Sequence, residues 1–166
     1  FESDHDGYAR GFTKTPAESR EIVADAVDRG IYEVTSVSGL HPALALNEEH
    51  RELLDPDDPS HDYRPPAVYD TDPGTYVDQL RAMSVDDVHV HSMTPEEAHH
   101  ARRGTDWGYE EVYRTLSRAG LDSAPGTAAE ILVDEVREVI CPGKIDTGQW
   151  LAAMEGAAAA GLPITA

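Results

Sequence analysis

Cysteine, lysine and long apolar runs are what this sequence has least of. The single cysteine, Cys141, excludes an internal disulfide and any multi-cysteine zinc or iron–sulfur site built from these residues alone. No run approaches the roughly 18 apolar residues that a membrane-spanning helix needs, and no signal-peptide pattern stands at the start, so the expected compartment is the cytoplasm. Basic residues are scarce: 13 against 32 acids, a formal net charge of -19. Such a surface repels phosphate backbones and anionic lipid, which excludes nucleic acid and membrane as expected partners. Lys14 and Lys144 are the only lysines, and every other basic residue is arginine. The acid is spread along the chain rather than gathered in a tail. That spread favours a surface adapted to high salt, where self-repulsion is screened, over an acidic interaction module.

What is present suffices for a core. The chain has 166 residues, 40% of them hydrophobic, and reads as a single domain over 1–166. It begins at Phe1 and ends at Pro163-Ile164-Thr165-Ala166, which reads as a strand just starting. Both ends suggest an interior piece of a longer protein. Thr15 caps a helix whose first residue is Pro16 and which Gly30 closes. The β-branched run 31–37 reads as a strand, and Ser38-Gly39-Leu40-His41-Pro42 as the turn leaving it. Residues 47–74 hold five of the 11 prolines and many acids, and read as a surface insertion. A helix over 76–83, a strand over 88–93 and a helix capped by Thr94 follow. Further along come a helix over 109–118, a short strand at 121–123, helices over 130–140 and 147–160, and a fourth strand from 162.

Strands alternating with helices argue for parallel strands joined by right-handed crossovers, which fits both a doubly wound sheet and a (β/α) barrel. No Gly-x-Gly-x-x-Gly follows a strand, which weakens the nucleotide-binding doubly wound form. About four strands cannot close an eight-stranded barrel, so a barrel here is expected to be partial.

Candidate chemistry gathers at the strand ends. Period two along Val88-His89-Val90-His91-Ser92 sets both valines on one face and both histidines on the other. In a barrel the histidines would point inward near the end where active sites sit. His-x-His can also ligate zinc in barrel hydrolases, but later strand ends offer only Asp122 and Ser123, so no metal site is expected. Thr127-x-x-Glu130 before an apolar run reads as a capping box, with Gly126 allowing close backbone approach. Gly39 and His41 hold the equivalent place after the first strand. Cys141 reads as a buried, inert thiol, Trp107 and Trp150 as core, and His99 and His100 as solvated.

Together Gly39-Leu40-His41-Pro42, His89-Val90-His91-Ser92-Met93-Thr94-Pro95-Glu96-Glu97, the block Ala119-Gly120-Leu121-Asp122-Ser123-Ala124-Pro125-Gly126-Thr127-Ala128-Ala129-Glu130-Ile131-Leu132, Asp134-Glu135-Val136-Arg137 and Ile140-Cys141-Pro142-Gly143-Lys144-Ile145 resemble one family. They look like the radical S-adenosylmethionine (radical SAM) enzymes of deazaflavin and futalosine-route menaquinone biosynthesis, most closely the FO synthase subunit 2 family. The resemblance implies a partial α/β barrel of the radical SAM type. It implies S-adenosyl-L-methionine and a [4Fe-4S] cluster as cofactors, the cluster's three cysteines lying outside this chain, and a 5′-deoxyadenosyl radical as the reactive species. The 4-hydroxybenzyl part of L-tyrosine would be joined to 5-amino-6-(D-ribitylamino)uracil, and FO synthase subunit 1 would be the functional partner. Substrate or S-adenosylmethionine contacts would fall to Gly39, His41, His89, His91, Asp122, Ser123, Thr127 and Glu130, with no catalytic residue singled out. A related menaquinone-route enzyme, or a non-catalytic acidic domain, are the alternatives. The chain departs from the family in lacking the three cysteines, in having Ser38-Gly39 where Gly-Gly is usual, and in the 47–74 insertion.

Overall fold

The computed structural model of the protein describes residues 13–41, 43–50 and 72–165. Helix α1 spans Pro16–Asp28 and strand β1 Glu33–Ser36; helix α2 spans Tyr76–Met83 and strand β2 His89–Ser92. Helices α3 (Pro95–Ala101) and α4 (Tyr109–Arg118) follow, separated by a 3-10 turn over Arg102–Gly104. Strand β3 (Ala124–Pro125), helices α5 (Asp134–Ile140) and α6 (Thr147–Ala159) and strand β4 (Ile164–Thr165) complete the chain. Most of the acidic insertion, residues 51–71, lies outside the described residues.

Local chemistry sets most of these boundaries. Thr15, Thr75, Thr94 and Asp146 each accept from the third helical amide, while the Glu, Asp or Gln at that third position bonds back to the cap amide. Pro16 and Pro95 hold first helical positions, where a missing N–H costs nothing.

The strands are parallel. Glu33 pairs with His89 and Ser36 with Ser92 between β1 and β2, and Ala124 pairs with Ile164 between β3 and β4. A bridge from His91 to Ser123 joins the two small sheets, with Ser92 N–H donating to the Ser123 carbonyl at 3.1 Å. No closed barrel forms among the described residues. The helices stand in the same order as the strands: α1 packs on α2, α2 on α4, and α4 on α6. The last contact is close because Gly156 has no side chain; a Cβ there would meet Tyr109 Cβ at 2.5 Å. Between helices and strands lies one core containing Val77, Leu80, Val90, Met93, Trp107, Val112, Tyr113 and Leu116, and a small second cluster joins Ile145, Trp150 and Met154. Trp107 and Trp150 are core residues as expected.

Four starts differ from the sequence reading by two residues or more; one is the fourth strand, which begins at Ile164 rather than 162. The first strand is shorter than 31–37, since Ile31 and Tyr32 stay exposed before it. The third strand begins at Ala124 rather than 121, because Asp122 N–H and Ser123 N–H both turn back to the Val90 carbonyl and only Ser123 bridges. The helix expected over 130–140 begins at Asp134, so Thr127 and Glu130 form no capping box; Ala128 (φ 62) and Glu130 (φ 43) take left-handed conformations that no helix start can use.

Candidate functional site at the strand ends

Alternation along β2 gives the site its two faces. Val88 and Val90 are buried toward the helices, while His89 and His91 lie half-buried on the other face, as period two requires. Register carries this face across the strands: Glu33 lies opposite His89, Thr35 opposite His91, and Ser123 beside His91. The buried Ser123 hydroxyl stands between the two imidazoles, 2.7 Å from His89 Nε2 and 2.6 Å from His91 Nδ1. Asp122 is already committed: its Oδ2 accepts from Val90 N–H at 2.8 Å and so fixes the chain entering β3 against β2.

Gly39 and His41 occupy a second place, where the chain leaves β1. Both are exposed, and Ala43 N–H donates to His41 Nδ1 at 3.1 Å. A cavity of about 500 Å³ opens beside them, on the helix side of β1 and β2, and Ser38, Tyr76 and Glu97 are among its walls. Sequence reasoning missed the residue that organises this corner. Glu97 is 2% exposed; one carboxylate oxygen accepts from both Ser38 N–H (2.8 Å) and Ser38 Oγ–H (2.7 Å), and the other from Thr94 N–H. It therefore ties the exits of β1 and β2 together. The Thr94-x-x-Glu97 spacing marks half of this, but the bond to Ser38, 59 positions away, leaves no local signal. Burial, with the Glu97 carboxylate adding to it, holds the Tyr76 phenol well above its ordinary range.

Thr127 and Glu130 occupy a third place. Thr127 is exposed, and its carbonyl accepts from Trp150 Nε1 at 3.0 Å. Glu130 pairs with Lys144 at 2.6 Å. The loop is held by Arg137, which the sequence reading placed in the family pattern without a role: it is 4% exposed and donates to the carbonyls of Ala128, Ala129 and Ile145. The eight candidate residues thus fall into three groups, of which His89, His91 and Ser123 alone share direct side-chain bonds.

Two expectations outside these groups are corrected. His99 and His100 are half-buried and bonded rather than solvated: His99 Nδ1 meets the Tyr109 hydroxyl at 2.7 Å, and His100 Nε2 meets the His41 carbonyl at 2.8 Å. Burial lowers the pKa of His100. Cys141 is partly exposed, not buried, because it sits at the C-cap of α5, whose surroundings are open. Among the described residues no group of three or more His, Cys, Asp and Glu side chains could hold a metal ion, and no helix is long and apolar enough to cross a membrane.

No protein-family model matches the chain. Curated relatives do. The chain is 68% identical over 166 residues to the 5-amino-6-(D-ribitylamino)uracil–L-tyrosine 4-hydroxyphenyl transferase of Halobacterium salinarum, covering all of this chain and 37% of that protein. It is 68% identical over 166 residues to the protein of the same name from Haloarcula marismortui, covering 99% of this chain and 37% of that protein. The transferase of Methanothermobacter thermautotrophicus is 37% identical over 147 residues, 87% of this chain and 33% of that protein. The chain therefore spans about a third of the length of the relatives it matches.

Proposed function

The chain belongs to the family of the 5-amino-6-(D-ribitylamino)uracil–L-tyrosine 4-hydroxyphenyl transferases, and from this premise we propose that it supplies substrate-facing strands of such an enzyme. Its role is to help join the 4-hydroxybenzyl part of L-tyrosine to 5-amino-6-(D-ribitylamino)uracil in deazaflavin (FO) biosynthesis. The observation that carries the reading is the polar face of β1, β2 and β3. Parallel strands in chain order, with α1, α2, α4 and α6 packed in the same order, support reading the chain as part of a barrel wall, of the radical SAM type that the family resemblance implies. In such a wall the face away from the helices is the lumen, and here it bears His89, His91, Ser123 and Thr35 rather than apolar side chains.

The residues divide the work. His89 and His91 present ring nitrogens to the donors and acceptors of a phenol or a uracil edge, held in place by Ser123. Glu97 ties the exits of β1 and β2, and Asp122 holds the entry to β3 against β2, so that these groups are positioned before a ligand arrives. A lumen would also exclude water from a reactive intermediate. S-adenosyl-L-methionine and a [4Fe-4S] cluster are the cofactors of the proposed reaction. Gly39 and His41 at the exit of β1 would meet S-adenosylmethionine, since a glycine there admits a ligand to the backbone. The chain's own residues do not fit a cluster: it has one cysteine, and no metal-binding group occurs among the described residues. The cluster's ligands would lie in the part of the relatives that this chain does not span. FO synthase subunit 1 is the proposed functional partner, the cytoplasm the proposed compartment, and adaptation to high salt the proposed reason for the charge of -19.

The test is tyrosine-dependent formation of the coupled product by the full-length protein carrying this segment, reconstituted anaerobically with iron and sulfide. The reading requires product only when S-adenosylmethionine, tyrosine and the ribitylaminouracil are all present. A folded, reconstituted protein that consumes none of them would overturn it.

A further inference from the structure

The Ser123 hydroxyl has one proton to give and two lone pairs to receive, and it meets two imidazoles at 2.7 and 2.6 Å. Only one of the two ring nitrogens can accept from it; the other must then carry its own proton and donate. If Ser123 donates to His89 Nε2, His89 carries its proton on Nδ1, and His91 donates from Nδ1, leaving Nε2 bare. If Ser123 donates to His91 Nδ1, His91 carries its proton on Nε2, and His89 donates from Nε2, leaving Nδ1 bare. Both rings are therefore Nδ1–H in the first state and Nε2–H in the second. The outward nitrogens, His89 Nδ1 and His91 Nε2, always present one donor and one acceptor, and these exchange roles together.

We propose that His89, Ser123 and His91 form a proton relay, a coupled donor–acceptor pair that moves one proton between two points of a bound ligand bearing both a donor and an acceptor, such as a cyclic amide or an aminouracil edge. A proton arriving at His91 Nε2 releases the one on Nδ1 to Ser123 Oγ. Ser123 passes its own hydrogen to His89 Nε2, and His89 Nδ1 gives up its proton to the ligand. One proton enters, one leaves, and no bond between heavy atoms changes. No charged neighbour spoils the symmetry by bonding to the outward nitrogens among the described residues: Glu33 of β1 stands in register beside His89, Thr35 beside His91, and the Asp122 carboxylate is held by Val90 N–H. Ser123, 6% exposed, is shielded from water that would otherwise compete for the two rings.

The ligand's identity rests on the proposed function, but the coupling does not, and the experiment separates the two. Long-range ¹H–¹⁵N correlation spectra of the histidine-labelled chain at pH 8.5, above the ordinary imidazole value of about 6.5, report the tautomer of each ring. The relay requires His89 and His91 to show the same tautomer, or the same average of the two. Opposite tautomers, His89 as Nε2–H and His91 as Nδ1–H, would mean that both rings donate to a serine that passes nothing on, and would overturn the proposal. In the full-length protein, Ser123→Ala should lower kcat by about 100-fold, the scale of proton-transfer catalysis, with KM for tyrosine little changed, and Ser123→Thr should restore it. Coupled tautomers in a wild-type protein without tyrosine-dependent turnover would sink the proposed function and leave the relay standing.

Discussion

The helix-covered face of β1 and β2 and the segment 126–145 are built on opposite terms. Under the helices, apolar side chains are buried: Val77, Val90, Trp107, Val112, Tyr113 and Leu116 are 0% exposed. In 126–145 Ile145 is buried in the small cluster with Trp150, but the apolar side chains Ile131, Leu132, Val133, Val136, Val139 and Ile140 are 37–78% exposed, and α5 buries only the arginine. That segment is held by polar bonds to its backbone instead. Arg137 grips three carbonyls, Trp150 a fourth, Glu96 accepts from Ile145 N–H and Asp134 from Thr147 N–H. The first region draws its stability from area removed from water; the second depends on a few directional bonds around one buried cation.

The contrast can be broken from either side. The largest loss expected is in the apolar region: Trp107→Ala should cost about 3–5 kcal/mol in urea unfolding, since it opens a cavity that the surrounding helices cannot close. Arg137→Met comes next, at about 2–4 kcal/mol, because several carbonyls lose a charged donor while the methionine still fills the volume. Its signature is regional: amide exchange should accelerate in 128–145 and stay slow in α4. Uniform acceleration would mean that the two regions share one mode of support.

A smaller effect should follow pH. Burial lowers the pKa of His50 and of His100, so the unfolded chain binds protons that the folded chain refuses. The stability these rings contribute is present above the unfolded value of about 6.5 and is lost as pH falls through the lower folded values. The urea midpoint should therefore drop between about pH 7 and pH 5, and His50→Gln should flatten that slope. The smallest effect expected is that of Glu130→Gln, below about 1 kcal/mol, because the Glu130 carboxylate is solvent-exposed, its close pair is with the exposed Lys144, and Arg137 lies at the longer distance of 3.8 Å. Molar KCl should erase even that difference while raising the melting temperature of the chain as a whole, whose charge of -19 repels itself.

The same contrast divides what could be read in advance. Thr15, Thr94 and the alternation of Val88, His89, Val90 and His91 are local signals of three-residue or two-residue period, and the structure follows them. Thr127-x-x-Glu130 carries the same local signal as Thr94-x-x-Glu97 and fails. Arg137, from beyond the motif, pulls the carbonyls of Ala128 and Ala129 into a turn with left-handed residues, which a helix start cannot accommodate. The bond from Glu97 to Ser38 spans 59 positions, and the shared serine of the two histidines lies more than 30 positions away, so neither arrangement is periodic in sequence. Chemistry at the strand ends was legible as a set of residue types; which of them touch depends on the register of β2 with β3, which no local pattern specifies.

The central claim is that the face bearing His89, His91 and Ser123 meets substrate. Its most direct test is one paired measurement on the His89→Ala/His91→Ala variant of the full-length protein: the melting temperature and the rate of tyrosine-dependent product formation. Because both rings are half-buried on the face away from the core, the account requires a melting temperature within a few degrees of wild type and a loss of turnover of at least about 100-fold. Wild-type turnover in that variant would contradict it.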